Sequence, residues 1–293
     1  MSRLHLAGII PVANLKCDFD LPTPDVLLPI GRGFTAIQKA VFECSMAGCN
    51  TIWIVANDDL APVIRHSIGE WVYDPVYYRR PGPRSSEERR EIPIYYVPIH
   101  PKDRERRDSY AWSVLHGIHS AWRVSYAISR WVVPEKYYIS FPMAAHNVNA
   151  VREHRRTIGQ PENNFFLTHE GLTVKDNLPL SFTMTGEDFK RCRRAVNTKT
   201  TLEYLPPAEG EKYPSQKLPL VERWSARQFT FKDVLEDIDE QHCTKVETDW
   251  FYDLSSWSGY RQFIASPHEI ETPEEGLTKA RRHVKLPYTE DTQ

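Results

Sequence analysis

Two stretches decide the fold: Leu4-His5-Leu6-Ala7-Gly8-Ile9-Ile10-Pro11-Val12 and Thr51-Ile52-Trp53-Ile54-Val55-Ala56. Each is short and apolar, as a strand buried on both faces is. Between them runs a polar loop, Asn14–Pro24, then Val26-Leu27-Leu28-Pro29-Ile30-Gly31, and then a helix expected from about Thr35 to Ala47. Its apolar positions Ile37, Val41, Cys44 and Met46 recur near the 3.6-residue period, and Gly48 stands where a C′ glycine ends a helix. Strand, helix and strand in this order form a βαβ unit, which predicts a parallel sheet with right-handed crossovers.

The alternation continues along the chain. Ile92–Val97 and Lys136–Phe141 read as strands, and Ser109–Ile128 as a helix with Trp112, Leu115, Ile118, His119 and Trp122 on one side. Ala144–Arg156, Glu187–Val196 and Thr230–Glu240 read as helices, and Phe165–Leu167 and Leu180–Met184 as strands. The sheet is therefore expected mainly before residue 190, with a mixed, helical region closing the chain. There is no internal repeat.

Composition narrows the class. Of 293 residues, 41% are apolar and 26% charged, enough to build a core and too apolar for a disordered chain. Lys and Arg number 37 against 39 Asp and Glu, a net charge of −2. So balanced a chain is not expected to bind nucleic acid non-specifically. No window approaches the roughly 18 apolar residues of a membrane span, and Met1–Leu6 lacks the apolar core of a secretory signal. Five scattered cysteines suit reduced thiols. A cytoplasmic location is the expectation.

The order of segments resembles the nucleotide-sugar pyrophosphorylases, the sugar-1-phosphate nucleotidyltransferases. That family opens with a strand and an A-A-G-x-G-T-R loop, followed by P-K-x-x-L-P-I, a helix ending in A-G, and an I-x-I-V strand. The corresponding segments are Ile9–Leu15, Pro24–Gly31, Cys44-Ser45-Met46-Ala47-Gly48 and Thr51–Val55. Glu135–Ser140 falls where the family's central strand delivers a metal-binding Asp. Trp250-Phe251-Tyr252-Asp253-Leu254-Ser255-Ser256-Trp257-Ser258-Gly259-Tyr260 is similar to the family's W-x-D-x-G-T-P-x-x-Y. The resemblance implies a three-layer α/β/α, GT-A-like domain with a mostly parallel sheet over residues 1–265. An insertion at 77–107, a loop at 206–219 and a polar tail at 266–293 complete the organisation. It further implies nucleotide contacts at Val12, Ala13, Asn14 and Leu15, catalytic roles for Lys16 and Asp253, and Mg²⁺ on Asp253. A nucleotide or nucleotide sugar is the implied ligand.

The departures bear on the chemistry. Asn14–Asp20 has no glycine and carries Asp18 and Asp20, whereas the family's loop folds backbone N–H groups around a triphosphate. Asp25 replaces the lysine of the P-K pair, and Phe141-Pro142-Met143 stands where the metal Asp is due. Phosphoryl transfer relies on metal and cationic clamps.

Other clusters have simpler readings. Asp18, Asp20 and Asp25 read as a solvated acidic loop or a rearranged metal site. His116 and His119, three apart on a helix, read as packing or a shared ligand face. Residues 79–107 hold nine basic side chains against five acidic ones and read as a site for nucleic acid or an anionic polymer, or as a solvated insertion that docks a partner subunit. Three readings stay open: a divergent nucleotidyltransferase, a non-catalytic nucleotide-sugar-binding module, or an assembly component with protein partners or copies of itself, within the cytoplasm or a virus particle.

Overall fold

The computed structural model describes residues 4–78, 90–99, 109–201, 204–217 and 229–272. The strands are β1 (Leu6–Pro11), β2 (Pro29–Gly31), β3 (Phe34–Thr35), β4 (Thr51–Val55), β5 (Trp71–Tyr73) and β6 (Glu91–Val97). They continue with β7 (Lys136–Ile139), β8 (Ala144–His146), β9 (Asn164–Thr168), β10 (Phe182–Thr185), β11 (Cys243–Glu247) and β12 (Phe251–Asp253). The longer helices are α1 (Ala36–Ala47), α2 (Ala61–Ile68), α3 (Tyr110–Ile128), α4 (Gly186–Thr201) and α5 (Trp257–Ala265).

The central sheet has the order β11-β9-β10-β7-β1-β4-β6-β5. The pairs β7–β1, β1–β4, β4–β6 and β9–β11 are parallel, while β10 runs against both its neighbours and β5 against β6. The expected βαβ opening is present, with Ile9 opposite Trp53. A second small sheet joins β8 to β12, and a third joins β2 to β3.

Period-two alternation within buried strands separates the two faces. Ala7 and Ile9 of β1, Trp53 and Val55 of β4, and Tyr137 and Ile139 of β7 turn toward α3, joining Trp112, Leu115 and Ile118. Leu6, Ile10, Ile52, Ile54 and Tyr138 turn the other way, toward Ile37, Val41 and Cys44 of α1. Helix, sheet and helix make the three layers. A smaller core of Phe34, Phe42, Met46, Met143, Leu254 and Phe263 joins α1 to the β8–β12 ribbon and α5.

Helix α1 opens on a Thr35–Gln38 capping box and stops at Gly48, whose φ of 96° lets its N–H reach the carbonyls of Cys44 and Ser45. Two expectations need correction. Ala144–His146 is a strand, not the start of a helix, because it pairs with β12, Ala144 opposite Asp253; helix resumes only at Val148–Glu153 and Arg155–Ile158. The helix expected over Thr230–Glu240 covers only Phe231–Leu235. The chain's last third is mixed, as expected, with β11 and β12 beside its helices. Most of the arginine-rich segment, at 79–89 and 100–107, lies outside the described residues, as does the tail beyond 272. Among the described residues no helix is long and apolar enough to cross a membrane.

Candidate functional site

In an open α/β sheet the ligand crevice lies beyond the carboxyl ends of the parallel strands. At that end, past β1 and β7, sits a cavity of about 280 Å³ that draws in residues far apart in sequence. Asn14, Leu15 and Lys16 supply one wall, Phe141 and Met143 the floor beyond β7, and Asp253 and Ser255 a third side, with Tyr110, Phe229 and Phe231 closing it. Lys16 and Asp253, paired by resemblance, do line one cavity. A larger cavity of about 740 Å³ opens at the opposite end of the sheet, around Glu135, Thr185 and Asp188. It faces the amino ends of β7 and β1, away from the crevice where this topology concentrates ligand chemistry.

The loop after β1 is built differently from a phosphate cradle. The amides of Val12 and Ala13 both donate to Val55 O, at 2.9 and 2.8 Å, and Leu15 N donates to Val12 O at 3.3 Å. Val12 and Ala13 are themselves buried. Helix α3 holds the loop from behind: Ser113 Oγ donates to Ala13 O at 2.8 Å, and Asn14 Nδ2 donates to Ser113 Oγ at 3.4 Å. Asn14 takes the left-handed conformation, φ 64°, which Asn tolerates better than most residues. Three of the loop's N–H groups are thus committed to the fold rather than to a ligand.

Asp253 is half-buried at the end of β12, and its Oδ1 accepts from Ser255 N at 2.9 Å. Leu254 N donates to Met143 O at 2.7 Å, which ties this strand to the cavity floor. Behind it Gly259 comes so close that a Cβ there would sit 1.9 Å from Asp253 O. That contact accounts for the glycine in the Trp250–Tyr260 segment.

The floor is aromatic. Phe141 meets Phe231 edge-on at 5.0 Å between centroids, and Tyr110 lies 5.7 Å from Phe141 and 5.5 Å from Phe231. The Tyr110 hydroxyl is buried and has no hydrogen-bonding partner among the described residues. Its pKa is pushed up by burial and then by Cys17 and Asp253. Cys17 itself is pushed up to about 12, by burial first and then by the charges of Asp25, Asp253 and Asp18.

These residues do not suit Mg²⁺. Among the described residues no three His, Cys, Asp or Glu side chains come together in a metal-holding group. Asp18 is used elsewhere, accepting from Trp257 N at the start of α5. Among the described residues Asp253 is the only carboxylate on the cavity, and the side chains of Phe141 and Met143 offer no hard oxygen donors. His116 and His119 share no ligand either: His116 Nε2 meets Pro98 O, and His119 Nδ1 meets Arg193.

No family model matches the chain, and no curated protein matches it in sequence. Solved structures do. A Bacillus anthracis protein described as a glucose-1-phosphate thymidylyltransferase, in complex with sucrose, superimposes at a TM-score of 0.54 and 10% identity, over 92% of this chain and 98% of that one. This is the nucleotidyltransferase fold. UTP-bound UGPase from Acinetobacter baumannii shares it at a TM-score of 0.51 and 11% identity, over 89% and 92% of the two chains. An apo UDP-glucose pyrophosphorylase does so at 0.51 and 12%, over 89% and 97%. Within the nucleotidyltransferase fold, Tyr110 and Phe231 are the site residues that sequence reasoning missed. Both lie in segments with an ordinary helical pattern, where an aromatic reads as core.

Proposed function

We propose that this chain is a nucleotide-sugar-binding module of the nucleotidyltransferase fold, which holds its ligand in the cavity beyond β1 and β7 without transferring a nucleotidyl group. The observation that carries the reading is the composition of that cavity: an aromatic floor at Phe141, one cation at Lys16, one carboxylate at Asp253, and the unpaired hydroxyl of Tyr110. Aromatic walls suit the flat face of a base or the apolar face of a sugar ring. Lys16 meets a phosphate oxygen, Asp253 accepts from a sugar or ribose hydroxyl, and Tyr110 donates to a ligand oxygen. Binding needs no more than this. Transfer of a nucleotidyl group needs its developing charge neutralised, and the glycine loop, the activating lysine and the second metal carboxylate that do so are replaced by Asn14–Asp20, Asp25 and Phe141.

The test is a melting-temperature panel with UDP-glucose, dTDP-glucose, UTP and glucose 1-phosphate, run beside a pyrophosphate-release assay with Mg²⁺. A ligand at about 100 times its Kd stabilises by roughly 2.7 kcal/mol. The expected result is a shift with at least one nucleotide sugar, lost in Lys16→Ala, and no pyrophosphate. Steady pyrophosphate release would restore the transferase reading, and a flat panel would remove both.

A further inference from the structure

A row of rings crosses the molecule's surface away from that cavity. On α3, His119, Trp122 and Tyr126 follow one another at three- and four-residue spacing, which places them along one helix face. Trp122 lies 5.5 Å from Tyr126 at an interplanar angle of 19°, and His119 lies 6.2 Å from Trp122 at 16°. Phe189 of α4, a core ring only 7% exposed, continues the row inward, 6.4 Å from His119 at 18°. Four rings from two helices thus lie nearly parallel. A cation stands at each end: the Arg130 guanidinium is 5.7 Å from the Tyr126 ring centre, and that of Arg193 is 6.0 Å from the Phe189 ring centre. Trp122 and Tyr126 remain 39% and 47% exposed, and Trp131, just beyond Arg130, is 95% exposed.

Large rings are normally withdrawn from water, so an exposed row marks a contact surface. Its electrostatic setting says what it contacts. Beyond Phe189 a shallow groove of about 510 Å³ is lined by Phe189, Lys190, Arg193, Arg194, Asn197 and Thr198, with no carboxylate. The cavity on the other flank of Trp122 and Phe189 sets five carboxylates, Glu135, Glu162, Glu187, Asp188 and Asp239, against the three cations Lys190, Arg191 and Arg193. An anionic partner is therefore drawn along α4 and over the rings, and repelled from the acidic side.

We propose that this surface binds single-stranded nucleic acid, with bases stacked on Trp122 and Tyr126 and phosphates held by Lys190, Arg193, Arg194 and Arg130. A basic groove beside stacking rings is the pattern by which single strands are held without sequence preference, and guanidinium groups over ring faces add to it. An acidic protein segment would match the charge but gains less than stacking bases do from two partly exposed, near-parallel rings. The whole-chain charge of −2 does not oppose this, because the field that matters at a surface is local and screened beyond about a Debye length. The surface is independent of the nucleotide-sugar cavity.

The experiment is fluorescence anisotropy of a labelled single-stranded DNA of about 16 nucleotides against the full chain, at rising salt. Saturable binding at low salt is expected, with an affinity that falls as roughly the third power of salt concentration for four phosphate contacts. Tyr126→Ala and Trp122→Leu should each weaken it about fivefold or more, and the pair Lys190→Glu with Arg194→Glu should abolish it. All four side chains are exposed, so an unchanged melting temperature confirms that each variant folds. No anisotropy change at low salt, binding indifferent to the ring substitutions, or displacement by a poly-glutamate peptide as effective as by unlabelled strand would each overturn the proposal. The last would assign the surface to an acidic protein instead.

Discussion

Glu43 and Lys39 lie one turn apart on α1, joined at 3.0 Å, and both side chains are completely buried. Around the Glu43 carboxylate stand Tyr138, whose hydroxyl donates at 2.7 Å, Ser140, which donates at 2.8 Å, and Ser181. His146 Nε2 is 3.3 Å away but poorly aligned for a hydrogen bond. Lys39 also donates to Phe141 O at 3.1 Å. One carboxylate thus joins α1 to β7, to β8 and to the segment before β10, directly beneath the cavity floor. Burial works against its charge, yet Lys39 and His146 outweigh that, and its pKa is held below the ordinary carboxylate value.

Glu43→Gln leaves Lys39 charged, buried and unpaired, which costs about 3–5 kcal/mol at neutral pH. The sign with pH follows from the depressed pKa. The carboxylate's contribution is complete above its ordinary value of 4.5 and is lost as pH falls toward the folded value. The gap between wild type and variant, measured by urea melts, should therefore narrow below about pH 4.5. A gap that stays constant into acid would show that the carboxylate is not charged in the fold.

Cys17 gives a second readout at the cavity mouth. It is half-buried, with a pKa of about 12, while Cys44, Cys49 and Cys192 are buried. At pH 8 alkylation should reach the partly exposed Cys243 well before Cys17, because only the thiolate reacts. Asp25→Asn removes the nearest negative charge while keeping an amide oxygen that can accept from the thiol. Each unit by which it lowers the Cys17 pKa raises the thiolate fraction about tenfold. Mass mapping of the labelled peptides decides the matter: equal rates at Cys17 and Cys243 would mean that Asp25, Asp253 and Asp18 do not act on the thiol.

How much of this could be read beforehand depends on how local the determinant is. Ile9, Ile10, Ile52 and Ile54 announce buried parallel strands because their surroundings are apolar on both sides, and Gly48 announces a helix end through its own backbone. Ala144 and Ala145 mislead because alanine favours helix, whereas the partner that makes them a strand, β12, is more than a hundred residues away. The pairing of Lys16 with Asp253 is legible only through resemblance, since nothing near either residue names the other. Tyr110 and Phe231 are silent for the same reason. The absence of a carboxylate at Phe141 is legible, because it shows in a single residue.

Lys136, at the start of β7, has no exposure and donates to Ile158 O and Gln160 O, each at 2.9 Å, and to Asn163 O. Lys136→Met removes the donor from three carbonyls at once and should cost at least about 2 kcal/mol. Burial lowers the lysine's pKa to about 8. Between pH 8 and 10.5 the unfolded chain therefore holds more protons than the folded one, and stability rises with pH across that window. The methionine variant should lack this rise, which paired melts at pH 8 and pH 10 would detect.

Gly259 offers a test of how Asp253 is held. An added Cβ would meet Asp253 O at 1.9 Å and Ser256 Oγ at 3.1 Å, and the closer atom is backbone, which no rotamer change can relieve. Gly259→Ala must therefore move either the start of α5 or the end of β12. Overpacking of this kind costs about 1–3 kcal/mol, and here the displacement falls on the only carboxylate that faces the cavity among the described residues. The ligand-induced melting shift of the proposed nucleotide-sugar site should shrink in Gly259→Ala by more than the loss of stability explains. Ser258→Ala, one residue away on the same turn, should leave the shift intact. Equal shifts in both variants would mean that Asp253 takes no part in holding the ligand.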